Sequence, residues 1–320
     1  MRGYLPSFKF RNPFTLTWFK FSPKVADSLR VRCFKAAQKG VYVLNQIYVA
    51  PQSLEQHSEH EDCFAFARRN YLGFEIPDFK YAQHLVGENR EHVQKWHDIQ
   101  KQTHSPFALH GPVDDLNPLS FDPDIAQISR ARYTKALEIS KLLGVHYVVF
   151  HTQYTPLSRI SKNYNDFIKR SGEFWHQFAE ENLAEFPNTT LVLENFLEES
   201  PDICLELAEA IHHPQVRLCL DIGHANITSE RSISDWIHTL DHHLVYVQAH
   251  NNYGQTDDHL SFEDGMLDYQ YIISELSQSP HPYDISLEMP SFADIRSSYA
   301  LLEVYKSRQE LVKHEVSFLI

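Results

Sequence analysis

Two stretches of this chain run from apolar sequence straight into metal-binding side chains. LCLDIGHANI (Leu218 to Ile227) carries Asp221 and His224, and VYVQAHNNYGQTDDHL (Val245 to Leu260) carries His250, Asp257 and His259. A buried strand needs the apolar residues but has no use for carboxylates and imidazoles at its exit. The same ending recurs in FALH at His110, VVFH at His151, LVLE at Glu194 and ISLE at Glu288. Singly, each has a plain structural use: a histidine can cap a strand, Asp221 can cap a loop and Glu194 can pair with a lysine. Together they are nine oxygen and nitrogen donors without a thiolate. Such a set suits Zn²⁺, Mn²⁺ or Mg²⁺ rather than an iron–sulfur centre. If all nine bind, the site is multinuclear; if only the carboxylate-rich half binds, Glu194, Asp221, His250 and Glu288 hold a single ion.

These donors need elements that bring them together. β-Branched and aromatic-rich runs predict strands at 46–50, 72–77, 107–110, 146–151, 189–194, 216–221, 244–250 and 284–288. Helical patterns separate them, at 54–69, 90–102, 123–143, 165–186, 201–212, about 232–240 and 267–277, and the remainder after the last strand is helical. Asp122 is an N-cap, Pro123 occupies the first helical position and Gly144 is the stop. Strands apolar on both faces belong to a parallel sheet covered by helices. Eight such units fit a (β/α)8 barrel of about 250 residues, in which all strand C-termini converge on one face. No GxGxxG follows a strand, as a doubly wound dinucleotide-binding sheet would require. One barrel domain over residues 41–320 follows, with residues 1–40 an irregular extension. Its aromatic and basic residues suit packing on the barrel's outside, or a flap over an anionic substrate.

The formal charge of −13 argues against a broad nucleic-acid footprint. Twenty histidines give ample material for metal sites. Cys33, Cys63, Cys204 and Cys219 form no CxxC pair and read as reduced thiols of a cytoplasmic protein. No apolar run approaches the roughly 20 residues of a membrane span, and MRGYLPSFKFRNPF lacks the apolar core of a signal peptide. No membrane partner is expected, and nothing in the sequence marks an oligomeric state.

The motifs HGPVDDLNP (His110 to Pro118), VVFH, LENFLE (Leu193 to Glu198), CLDIGHA (Cys219 to Ala225), His250 to Leu260 and SLE (Ser286 to Glu288) occur in this order. In them the chain resembles the xylose isomerase-like TIM-barrel superfamily, which includes sugar-phosphate isomerases and epimerases and the endonuclease IV family. The resemblance spans about 180 residues and does not reach the first forty. Likeness to the sugar enzymes implies one divalent ion on Glu194, Asp221, His250 and Glu288. The two glutamates would then move protons on either side of the substrate carbon, and His224 would contact substrate oxygens. Likeness to endonuclease IV implies three zinc ions. The first would take His110, His151 and Glu194, the second Asp221, His250 and Glu288, and the third His224, Asp257 and His259. Two features depart from the nuclease pattern. Val113 stands where that family carries an aromatic DNA probe. SFEDGMLDY (Ser261 to Tyr269) resembles the loop closure of the sugar isomerases, although Phe262 and Asp264 depart from it.

The expected activity is therefore a sugar or sugar-phosphate isomerase or epimerase, dependent on one to three Zn²⁺ or Mn²⁺ ions. An abasic-site phosphodiesterase acting on DNA is the alternative. A barrel that binds metal or sugar without turnover is the third.

Overall fold

The computed structural model describes residues 44–51, 60–86, 90–159 and 163–317. The extension expected over residues 1–40 lies outside them, as does the start of the helix expected from Leu54.

Eight parallel strands close into a barrel in chain order. They are β1 (Leu44–Val49), β2 (Gly73–Ile76), β3 (Phe107–His110), β4 (Tyr147–His151), β5 (Thr190–Glu194), β6 (Val216–Asp221), β7 (Leu244–Ala249) and β8 (Tyr283–Leu287). Closure is made by β1 pairing with β8, with Tyr48 opposite Ser286 and Val49 opposite Leu287. Helices follow the strands and cover the outer face, as the alternating sequence pattern requires. The helix Pro123–Leu143 starts where its Asp122 carboxylate accepts from the Asp124 N–H at 2.9 Å. It stops at Gly144, whose φ of 63° suits a residue without a Cβ. The helix Ile233–Leu240 opens on a reciprocal Ser232–Asp235 capping box.

The side-chain period of two divides each strand between two cores. Leu109, Val148, Phe150, Leu191, Leu193, Leu218 and Leu220 pack outward into the apolar layer beneath the helices. Ala108, Val149, Val192 and Cys219 pack with Tyr48 and Tyr246 inside the barrel. The residue two places further along each of these four strands is His110, His151, Glu194 or Asp221. The same alternation that fills the interior with small apolar side chains thus aims the terminal ligand candidates at the barrel axis.

β7 and β8 end one residue before the expected boundaries, so His250 and Glu288 are the first residues of their loops. A short helix, Ile222–Thr228, follows β6 without a gap. Its seven residues are too few for an amphipathic pattern, and the sequence reading did not contain it. Among the described residues, no helix is long and apolar enough to cross a membrane.

Candidate metal centre and active site

Glu194 is the hub of the rim. Its carboxylate lies 3.3 Å from His110 Nε2, 3.4 Å from His151 Nε2 and 3.1 Å from His224 Nδ1. Asp221 faces the other way, with both its oxygens 3.1 Å from His250 Nε2. Asp257 joins the remaining imidazoles, its Oδ2 being 3.3 Å from His224 Nε2 and 3.0 Å from His259 Nε2. Glu288 offers a carboxylate oxygen within 4.8 Å of nitrogens of His250 and His259. All nine residues singled out in the sequence therefore meet in one contiguous cluster.

The grouping differs in one respect from three separate triads. Glu194 lies against His224 Nδ1 as well as against His110 and His151, so it contacts imidazoles that the sequence assigns to two different ions.

Local structure holds each donor in place. Asp221 both caps the helix Ile222–Thr228, accepting from the His224 N–H at 2.7 Å, and faces the cluster. The structural use considered for it from sequence coexists with its place in the cluster. Asn195 ties the β5 exit to β6: its Oδ1 accepts from the Asp221 N–H at 2.8 Å, and its Nδ2 donates to the Asp221 carbonyl at 2.9 Å. The loop after β7 folds back through an Asn251–Leu260 bridge. That return sets the His259 ring on the His250 ring, with centroids 4.0 Å apart and planes 19° apart. His259 adopts a left-handed φ of 50°, a conformation uncommon outside glycine. Gly223 is required at its position, because a Cβ there would lie 1.9 Å from His250 Cε1.

Three imidazoles have backbone carbonyls beside Nδ1. His110 faces the Gly111 oxygen at 2.9 Å, His224 the Asn195 oxygen at 3.0 Å and His259 the Glu288 oxygen at 2.9 Å. A proton on Nδ1 donates to each carbonyl and leaves Nε2 as the donor atom for an ion, the usual outer support of a metal-bound histidine.

The electrostatics of the cluster follows from its alternating carboxylates and imidazoles. Burial alone would lower the His110 pKa, but the Glu194 carboxylate beside it and the charges of Glu288 and Glu75 raise it to about 9. Burial opposes His259 in the same way, and Asp257 and Glu288 bring it to about 9. His224 is also raised well above its ordinary value against burial, chiefly by Asp221 and Asp257. Burial would raise Glu194, yet His151, His110 and His224 hold it well below the usual carboxylate range. Asp221 and Asp257 are likewise held down against burial by the imidazoles around them. Glu194 and Asp221 are buried and require positive charge nearby, which either protons on the imidazoles or a divalent cation can supply.

The donor set fits the cation. Tetrahedral zinc with bonds of about 2.0–2.2 Å places its ligand atoms about 3.3–3.6 Å apart. The contacts of Glu194 with His110 and His151, at 3.3 and 3.4 Å, match that edge and exceed the usual hydrogen-bond range. Glu194 Oε2 and His250 Nδ1 are buried atoms without a hydrogen-bond partner.

A cavity of about 300 Å³ opens beside Glu288 and His259, walled by Lys80, Tyr81, Asp258 and Met289. Phe196 packs edge-on to His224 at 4.9 Å between centroids and tilted over His151 at 4.8 Å, and it stays 38% exposed. It gives the rim an apolar contact surface.

Sequence reasoning missed Asn195, Phe196, Lys80 and Glu75. Glu75 lies on β2 inside the barrel, where the Tyr246 hydroxyl and Gln248 Nε2 each donate to it at 2.9 Å. Burial, with the charge of Glu288 second, raises its pKa to about 7. A lone carboxylate in the otherwise apolar run LGFEIP was the available signal. Asn195 and Phe196 lie in the loop after β5 and Lys80 ends the short helix Asp78–Lys80, and only folding brings them to the rim.

The family model described as a xylose isomerase-like TIM barrel matches residues 64–319. The uncharacterized protein MJ1311 of Methanocaldococcus jannaschii is 23% identical over 282 residues, covering 86% of this chain and 91% of that protein. The solved structure of a D-tagatose 3-epimerase-like protein superimposes with a TM-score of 0.67 at 21% identity, covering 84% of this chain and 99% of that one. The TTHB071 protein from Thermus thermophilus, soaked with zinc chloride, gives 0.63 at 20% identity over 82% and 98%. At these identities the structural likeness speaks for the fold.

Proposed function

The chain belongs to the xylose isomerase-like TIM-barrel family, and from that premise we propose that it is a divalent-metal-dependent sugar or sugar-phosphate isomerase or epimerase. The carrying observation is the meeting of Glu194, Asp221, His250 and Glu288 on one rim, with the cavity opening at Glu288. The D-tagatose 3-epimerase-like neighbour supports the same reading.

These four residues would hold the ion, with His110, His151, His224, Asp257 and His259 available to further ions. Zn²⁺ or Mn²⁺ at such a site acts as a Lewis acid toward a carbonyl oxygen. The protein's own part is proton transfer. Glu194, kept anionic by the imidazoles around it, and Glu288, at the cavity wall, are the two carboxylates for opposite faces of the substrate carbon. One takes the proton next to the carbonyl, and the other returns a proton to the same carbon for epimerisation or to its neighbour for isomerisation. His224 contacts substrate oxygens, and Phe196 covers the apolar face of the sugar.

A panel of aldoses, ketoses and their phosphates, assayed with metal-loaded protein, tests this. An interconversion lost in Glu194→Gln and Glu288→Gln is expected. One that persists in both variants rules the reading out.

A second reading has its own observation. Asp257 Oδ2 lies between His224 and His259 and completes a nine-donor set suited to a trinuclear zinc phosphodiesterase. Cleavage of abasic-site duplex DNA by the zinc-loaded protein would favour it, whereas Val113 and the charge of −13 weigh against it. Binding without turnover is the third reading, and proton exchange into any bound sugar excludes it.

A further inference from the structure

The opposite end of the barrel carries a second cluster of donors. Asp241 and His242 lie on the turn between the helix Ile233–Leu240 and β7, and His281 lies on the turn that enters β8. β7 and β8 are neighbours, so these turns meet at the N-terminal ends of the strands, away from the rim. His281 Nε2 is 3.6 Å from Asp241 Oδ2, and the rings of His242 and His281 have centroids 4.8 Å apart at 58°. One donor atom from each residue lies within 4.8 Å of the other two.

We propose that Asp241, His242 and His281 form a second divalent transition-metal site, separate from the rim and independent of the reaction there. Three features support it. The His281–Asp241 separation already matches the edge of about 3.3–3.6 Å expected around tetrahedral zinc. The Asp241 carboxylate is oriented, because Ser279 Oγ donates to Oδ1 at 2.5 Å and accepts from the His281 N–H at 3.1 Å, leaving Oδ2 toward the imidazole. Asp241 also caps the C-terminal end of its helix, where the helix dipole is negative and a carboxylate is stabilised by a bound cation.

Two imidazoles and one carboxylate select zinc, cobalt, nickel or copper over magnesium and calcium. The side chains of His281 and Asp241 are 41% and 20% exposed, so a hydrated ion can enter and keep water as its remaining ligands.

Zn²⁺ titration of the full-length protein with its rim already loaded tests the proposal. One additional ion per chain is expected. His242→Ala with His281→Ala removes that ion and leaves any catalytic activity unchanged. Asp241→Asn keeps an acceptor for Ser279 and weakens the ion at least tenfold. Cu²⁺ bound at the same place gives an electron paramagnetic resonance spectrum with two nitrogen donors, absent in the double variant. An unchanged stoichiometry in the double variant, or unchanged affinity in Asp241→Asn, overturns the assignment.

Discussion

Gly223→Ala changes no donor atom, yet it should disable the metal centre. Helix propensity alone favours alanine in the helix Ile222–Thr228 by about 1 kcal/mol. The new Cβ would stand 1.9 Å from His250 Cε1 and 2.5 Å from Nε2. Carbon atoms in contact need about 3.5 Å, so the ring must retreat by about 1.6 Å. It has little room, because His259 is stacked on it at 4.0 Å. Metal bonds tolerate displacements of only about 0.2 Å, so Nε2 is lost as a ligand. Metal affinity should fall by about 100-fold or more, the upper end for disturbed ligand support. Overpacking costs about 1–3 kcal/mol, of which helix propensity returns about one. The metal-free variant should therefore be between equal in stability and about 2 kcal/mol weaker. Equilibrium dialysis with Zn²⁺ and thermal denaturation without it measure the two effects. Wild-type affinity in Gly223→Ala refutes the assignment of His250 as a ligand.

Three further outcomes follow from the same geometry. Asp221→Asn keeps a side-chain oxygen for the cap on the His224 N–H, whereas Asp221→Ala loses it. Both should lose metal, but the metal-free alanine variant should be less stable by about 1 kcal/mol in chemical denaturation. Asn195→Ala leaves the buried N–H and C=O of Asp221 without partners. It should cost about 2–4 kcal/mol in denaturant unfolding and weaken metal binding about tenfold or more. The third concerns pH. His110 and His259 rise from 6.5 to about 9 on folding, so their stabilisation is fully present below pH 6.5 and is lost as pH climbs through 9. For His110 this amounts to about 3 kcal/mol. The lowered Glu194 and Asp221 contribute above their ordinary values near pH 4 and lose that contribution as pH falls further. The metal-free protein should thus melt at steadily lower temperature from pH 6.5 to 9, and bound zinc should flatten the curve. A flat curve without metal counts against the charge balance described for the rim.

The barrel was legible because its strands are apolar on both faces and its helices carry their own punctuation. β3 and β6 fall at the expected residues, and the helix 123–143 starts and stops at its Asp-Pro and Gly signals. The rim was legible for a related reason. With a side-chain period of two, a candidate ligand at the strand end shares the inner face with Ala108, Val149, Val192 or Cys219 beneath it. Features that depend on two strands at once were not legible. Asn195 reaches across from β5 to β6, His259 comes to lie on His250 only when its loop folds back, and Glu75 becomes distinctive only under Tyr246 and Gln248. Likewise, no spacing in the sequence shows that Glu194 contacts two groups of imidazoles.

Anomalous diffraction at the zinc edge, from crystals of the zinc-loaded protein, tests the metal centre most directly. The expected map has a peak on the rim enclosed by Glu194, Asp221, His250 and Glu288. Additional rim peaks beside His110 and His151 and beside Asp257 would shift the chemistry toward the trinuclear phosphodiesterase. A rim without any peak, in crystals that bind zinc elsewhere, would contradict the metal-dependent reading of this site.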